Sequence, residues 1–455
     1  LGGTVVWGAI ALGSGLWWLK KQNQPVDLPL TQQQPVNQAT VEQELATVEQ
    51  LLNQFAEEFV AGDAEATIAR FRDQLSRLRA DATRKQLRFS IMGGKAVGKT
   101  TLAHRLAASW ATPSASPATV PTQKADTGLG VELGASDCAN VNMADLVLFV
   151  TTGDLTDPEF QTLERLLSQQ RLLLVFNKQD LYLPAEQPLI LQQLRDRLNP
   201  SLAAEDVVAI AAQPAPVKIR QHQPDGSIQE RLEQPLPDLA SLTERLKKLC
   251  LEEGQQLVWA TNLRQIRALK AEIRTALNQI RRGRALALIE QSQWIAATTA
   301  FANPVPSLDL LATAAIQTQL VVDLSAIYQQ SFSLQQAKAA AGAMAELMVK
   351  LGFVELSSQA IAPLLKSHAL TYVAGGLLQG VSAAYLTRVA GLSLVEYFQE
   401  QSQLGTQPTG AAFQLDRLTQ KLKAVFQECN RTAFLQTLVK QGINRLRPET
   451  VPAQS

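Results

Sequence analysis

The sequence predicts an α/β domain built on a mainly parallel sheet and flanked by long helices. An all-helical C-terminal domain follows it, and an N-terminal transmembrane helix precedes it. Three observations lead there. Four short apolar runs, "LRFSIM", "DLVLFV", "RLLLVF" and "DVVAIA", have the length of strands buried on both faces and alternate with helical stretches between Gln86 and Lys248. On either side of that segment, apolar residues recur at alternating spacings of four and three, the seam of one helix packed on another. The stretch from Leu1 to Leu19 carries no charge.

Composition sets the frame. A chain of 455 residues has room for two or three domains. Charged residues make up 18% against 46% hydrophobic, a balance that points to buried helices, a membrane or a large partner surface. A net charge of +1 gives no electrostatic footprint for nucleic acid. Cys138, Cys250 and Cys429 lie far apart in no metal-binding spacing and read as free thiols of a reducing compartment. His104, His222 and His368 are equally scattered, which argues against a histidine metal site.

The elements follow in order. Residues 1–21 read as a membrane anchor: the apolar run would span roughly 28 Å as a helix, close to the ~30 Å hydrocarbon core. Trp17 and Trp18 fall at headgroup level, and Lys20 and Lys21 place the bulk of the chain on the cytoplasmic (or stromal) face. A signal peptide is a rival, but here the charges follow the apolar run; a buried soluble helix is another. Residues 22–38 are a Pro/Gln-rich linker. Residues 39–85 form a helical neck with Val41, Leu45, Val48, Leu52, Phe55 and Phe59 on its seam, a break at Ala61 to Asp63, and a second face of Ile68, Phe71, Leu75 and Leu78. Within the α/β domain, 86–248, Thr156 to Glu159 has capping-box spacing, and Val217 to Glu233 reads as a hairpin turning at Pro224-Asp225-Gly226. A long helix covers 249–293 and pairs most simply with the neck. The helical domain spans 294–446 and the tail 447–455. Charge is sparse from Trp294 to Phe398, but Arg388 interrupts the most apolar run. An arginine at the centre of a bilayer costs at least about 2.5 kcal/mol, so a compact domain touching the membrane surface is favoured over true spans. The arginines 264, 267, 274, 281, 282 and 284 read as a solvated helix face, with contact to anionic headgroups as the alternative.

Two motifs carry chemistry. Gly93-Gly94-Lys95-Ala96-Val97-Gly98-Lys99-Thr100, followed by Thr101, fits a phosphate-binding loop between a strand and a helix. Its glycines let backbone N–H groups turn toward phosphates, Lys99 reaches the β- and γ-phosphates, and the Thr100 hydroxyl takes one Mg²⁺ position. Lys99 and Thr100 are accordingly the candidate catalytic residues. Asn177-Lys178-Gln179-Asp180 ends an apolar strand at the edge where ligands bind. Asp180 would accept hydrogen bonds from guanine N1–H and N2–H₂, Asn177 would bond the base and brace the loop, and the Lys178 stem would cover one face of the base. Ala211, Ala212 and Gln213 follow the next strand, in the place of a turn whose backbone N–H meets guanine O6.

With these motifs in this order, the chain resembles a translation-factor-related, Era-like GTPase domain of the P-loop class. It is similar to membrane GTPases of cyanobacterial or plastid type that carry a YcjF-type helical domain of unknown function. The likeness at the C-terminus lies around Phe301 to Gly352 and is one of a whole region. It implies GTP or GDP with Mg²⁺, and a plasma or thylakoid membrane as the setting.

One departure matters. Such GTPases carry D-x-x-G after the third strand, with its Asp on Mg²⁺ and its Gly on the γ-phosphate. Here Asp126-Thr127-Gly128 is one residue short of that motif, so Asp126 is a second metal candidate against the reading of a plain Gly-rich loop. Residues Ala111 to Gln123 show no strand pattern, and Thr119 and Thr122 lack the context of a switch threonine. Two functions follow from different classes. One is a membrane-anchored GTPase that hydrolyses slowly and moves its helical domain, with dynamin-like remodelling as a variant. The other is a pseudo-GTPase serving as a structural or assembly factor for a membrane-protein complex. The expected partners are membrane lipid, a membrane-protein complex, and further copies of the chain through nucleotide domains or helices, with no nucleic acid.

Overall fold

In the computed structural model of the chain, the described residues are 36–59, 64–110, 130–135, 141–222, 228–302, 306–330, 332–366, 374–404 and 414–446. The expected anchor, the Ala61 to Asp63 break, Asp126, the hairpin tip and the tail lie outside them, as does most of the linker. The described residues form two compact units: those of Leu1–Gln54 and Gly62–Lys270, and those of Phe55–Ala61 and Ala271–Ser455.

The first unit begins with α1 (Gln38–Glu58), of which its last turn belongs to the second unit, and α2 (Ala64–Asp81). The α/β segment then runs β1 (Gln86–Gly93), α3 (Lys99–Trp110), β2 (Gly130–Ala135), β3 (Leu146–Thr151), α4 (Asp157–Leu167), β4 (Leu172–Phe176), α5 (Gln187–Leu198) and β5 (Val207–Ala209). The strands form one sheet in the order β2-β1-β3-β4-β5, every neighbouring pair parallel. Both faces are covered, which is why β3, β4 and β5 are almost wholly apolar. Side chains alternate across the sheet. Phe89, Ile91, Leu148, Val150 and Val175 pack with Leu102 and Leu106 of α3 and with Leu242 and Leu246 of α6 (Ala240–Glu252). Val147, Phe149, Leu174 and Phe176 face the other way, against Leu163 of α4 and Leu194 of α5.

β2 corrects the sequence reading, which found four strands and none between Lys99 and Leu146. Its register aligns Gly130 with Gln86 and Ala135 with Ile91. β6 (Val217–His222) and β7 (Ile228–Glu233) form the antiparallel hairpin as a separate two-stranded sheet.

The amino ends of the strands are tied by buried charge. Arg84 pairs with Asp145, which is 1% exposed and accepts the Arg88 N–H. Asp206, ahead of β5, takes Arg171 at 2.6 Å and Arg245 at 2.7 Å. Arg171 reaches on to Glu253, and its pKa stands above the usual arginine value: burial alone would lower it, but hydrogen bonds to the two carboxylates outweigh that.

The long helix α7 (Gly254–Ala302) starts later than expected, because residues 240–252 form α6 and belong to the sheet's core. Two arginines read as solvated are internal. Arg264 donates to the carbonyls of Ala144 (2.9 Å) and Gln169 (3.0 Å), and burial lowers its pKa to about 10. Within the second unit, Arg281 is 5% exposed and clamps Glu58, which also accepts from Gln329 at 2.9 Å.

The second unit continues with α8 (Pro306–Ile327), α9 (Leu334–Lys350), α10 (Phe353–Lys366), α11 (Ala374–Leu404), α12 (Leu415–Cys429) and α13 (Thr432–Leu446). α11 is its axis: Val381, Ala384, Tyr385, Val389, Ala390, Leu394 and Phe398 are all fully buried. Phe353 stacks on Phe426 at 3.8 Å, and Tyr385 meets the latter ring edge-on. Arg388 lies half-buried, bonded to Gln293 and 5.3 Å from the centre of the Phe434 ring; burial lowers its pKa. Among the described residues no helix is long and apolar enough to cross a membrane.

Candidate functional site

The site lies at the carboxyl edge of the sheet, where β1, β4 and β5 end. β1 stops at Gly93 and α3 starts at Lys99, so the five residues between them turn the chain through the loop. Gly93 has φ +141°, and a Cβ there would fall on the Val150 carbonyl oxygen. Gly98 has φ +96°, and a Cβ there would overlap the Asn177 side-chain amide. Lys99 turns its ammonium back along the loop, donating to the carbonyl of Gly93 at 2.9 Å and to that of Gly94. Behind the loop, Glu159 of α4 lies 2.6 Å from where a Gly94 Cβ would stand. The same carboxylate caps α4 by accepting the Thr156 N–H at 3.0 Å and the Thr156 hydroxyl at 2.8 Å.

Asn177 is the joint of the site. It is 2% exposed. Its Nδ2 donates to the Val97 carbonyl at 2.8 Å, and its Oδ1 accepts the Ala212 N–H at 3.0 Å. One amide therefore fixes the phosphate-type loop against the loop after β5. Next to it, Lys178 donates to the Ala96 carbonyl at 2.7 Å. Both of these residues hold left-handed backbone without being glycine, at φ 61° and 60°. Such conformations cost on the order of 1–3 kcal/mol each and gather where a binding loop is held in shape.

Around these groups opens a cavity of ≈ 400 Å³, lined by Ala96, Gly98, Lys99, Thr100, Thr101, Asn177, Lys178, Ala212 and Gln213. Its size is ordinary for a small-molecule site. It combines two lysines with a helix N-terminus and no carboxylate among its lining residues, an arrangement suited to a polyanion. Thr100 is exposed at its rim. Among the described residues no group of three or more His, Cys, Asp or Glu could hold a metal by itself. Mg²⁺ needs none, because it is commonly held by one or two protein oxygens together with substrate phosphates and water, and the Thr100 hydroxyl fits that use.

The other predicted residues, Ala212 apart, do not line the cavity. Gly93, Gly94, Lys95 and Val97 shape or back the loop. Ala211 is spent in a backbone bridge with Asp238, and the Ala212 N–H is spent on Asn177, so neither is a free donor for a base. Asp180 stands apart: its Oδ2 accepts the Ala215 N–H at 2.9 Å, while its Oδ1 is buried without a hydrogen-bond partner. Asp126, the second metal candidate, lies outside the described residues.

Sequence reasoning gave Glu159 its capping-box role, which the structure bears out, but it missed the place of Glu159 behind the loop and the roles of Ala215 and Asp238, whose contacts join segments distant along the chain. Gly98→Ala is expected to destabilise the first unit by about 1–3 kcal/mol, because the methyl both strains a positive φ and displaces the Asn177 amide. Thermal unfolding checks this, with hydrogen exchange of the β1 and β4 amides assigning the loss to this unit.

Comparison with known families and proteins adds one finding. Residues 264–427 match the family described as a domain of unknown function (DUF697), a C-terminal domain found in YcjF-type and GTPase-associated proteins. The match opens inside α7, upstream of Trp294 where the sequence reading began that domain, and closes inside α12. No curated protein matches the chain.

Proposed function

We propose that the chain is a membrane-anchored guanine-nucleotide-binding protein that hydrolyses GTP slowly and uses the nucleotide to drive or gate its helical domain at the membrane. The observation carrying this reading is the Asn177 amide, bonded at once to Val97 and Ala212 beside a cavity that holds Lys99 and Lys178. Lys99 would leave the Gly93 and Gly94 carbonyls for the β- and γ-phosphates, α3 would offer its N-terminal N–H groups, and Thr100 would bind Mg²⁺. Bound Mg²⁺ would neutralise charge on the phosphates. Phosphoryl transfer depends mostly on such positioning, so these groups supply part of the catalysis and a low rate follows.

A second reading is a nucleotide-holding scaffold for a membrane-protein complex. It is favoured by the cavity lining, which among the described residues offers no carboxylate to orient an attacking water. A chain that binds GTP and GDP equally well would not switch.

The test is titration of the full chain with fluorescent GDP, GTP, ADP and ATP in Mg²⁺, beside Lys99→Ala, followed by turnover with and without anionic vesicles. Lys99 makes charge-assisted bonds worth about 1.5–3 kcal/mol each, so the variant should bind about 10–150-fold more weakly. Guanine nucleotides should bind in preference to adenine ones. Equal binding of both bases, or no effect of Lys99→Ala, would sink the reading. Binding with no turnover above the variant, with or without vesicles, would leave the scaffold.

A further inference from the structure

We infer that the segment Gln213–Pro216 is a latch over the base-recognition carboxylate, so that a nucleotide base and the β6–β7 hairpin compete for Asp180. The inference rests on the guanine reading above and goes beyond it by naming what controls access to the base.

Asp180 is the one side chain of the Asn177–Asp180 motif suited to read guanine, yet it does not line the cavity. One oxygen is spent on the Ala215 N–H, and the other is sealed from solvent without a partner. A buried carboxylate oxygen left unsatisfied is costly, so the arrangement holds a carboxylate in reserve. What covers it is local and stiff. In Pro214-Ala215-Pro216 only Ala215 has a backbone N–H, and the flanking prolines restrict the backbone on both sides. Between Pro214 and Pro216 the single backbone donor is thus the one that holds Asp180.

The strap is also a root of the hairpin, which begins at Val217. Its second root, on the far side of β7, is bonded to the same place. The Gln234 side chain donates to the Pro214 carbonyl, Asp238 pairs with Ala211 through two backbone bonds of 2.9 Å, and Asp238 accepts from Gln179 at 3.1 Å. Both roots are therefore fastened to the residues that would read the base. For guanine to reach Asp180, the Ala215 bond must open, and the first root moves with it. The hairpin reports whether a base is bound, and anything that holds the hairpin alters nucleotide affinity by the reciprocal amount.

Ala215→Pro removes the donor in a segment already biased toward proline-compatible backbone, and Gln234→Ala loosens the strap without touching the backbone. Titrated with GDP as full chains, Ala215→Pro should bind about tenfold tighter than the unaltered protein, in line with one N–H to carboxylate bond no longer broken, and Gln234→Ala should shift in the same direction by less. Asp180→Ala should lose its preference for GDP over ADP in either background. Saturating GDP should raise hydrogen exchange in Val217–His222 and Ile228–Glu233 of the unaltered chain. GDP bound by a variant but not by the unaltered protein would support the latch strongly. Unchanged affinity in both variants with unchanged exchange in the hairpin would overturn the latch while leaving nucleotide binding intact. No GDP binding by any of these chains would overturn both.

Discussion

Asn177→Ala is expected to destabilise the first unit by about 2–5 kcal/mol and to abolish tight nucleotide binding. The substitution leaves the Val97 carbonyl and the Ala212 N–H without their partner in a site that is 2% exposed. Each buried polar group orphaned in this way costs about 1–3 kcal/mol. The two losses act at one place, because the amide is the joint between the loop after β1 and the loop after β5. Asn177→Asp should be at least as harmful, since it turns a carboxylate oxygen toward the Val97 carbonyl. Hydrogen exchange of the β1, β3 and β4 amides reports the stability, and a labelled-GDP titration reports the site. A shift below about 1 kcal/mol would mean that water replaces the amide, and the joint would then not be what shapes the cavity.

What the sequence reveals of this fold depends on whether the cause is local. β1, β3 and β4 are legible because both sheet faces are covered, which makes β3 and β4 near-continuous apolar runs and places buried Leu87, Phe89, Ile91 and Met92 in β1. β2 is not legible: Gly130-Val131-Glu132-Leu133-Gly134-Ala135 contains two glycines and a charge, and it is an edge strand whose membership comes from its pairing with β1. The phosphate-type loop is legible because positive φ at Gly93 and Gly98 demands glycine. The cover on Asp180 leaves no trace, since it is made by a backbone N–H that any residue but proline possesses. Arg264 looks like a solvated charge on a helix face until its carbonyl acceptors, more than ninety residues away in sequence, are brought beside it.

The two edges of the sheet divide the work. At the carboxyl edge, backbone is held at positive φ, a carboxylate oxygen goes unpaired and hydrogen bonds are poised to exchange. At the amino edge the starts of β1, β3, β4 and β5 are tied down by paired charge. That separation is what a binding domain needs, because loops that must move are held by elements that must not.

Asp206→Ala should therefore cost as much stability as any single substitution in the first unit, about 3–5 kcal/mol, without touching the cavity. Asp206 is 1% exposed and bonds Arg171 and Arg245, the second of which has a side chain only 8% exposed. Removing it leaves the Arg245 guanidinium buried beside Glu205, a half-exposed carboxylate that offers a weaker hold. The cost arises from the orphaned cation rather than from the lost pair, and a double variant separates the two. Asp206→Leu with Arg245→Met replaces the pair by apolar groups, and buried ion pairs exchanged in this way are often neutral. The double variant should recover most of the stability lost by Asp206→Ala and bind GDP as the unaltered chain does. If the double variant is no more stable than the single one, the carboxylate is needed for itself, through Arg171 and Glu253, and the amino edge is held by a network and not by a pair.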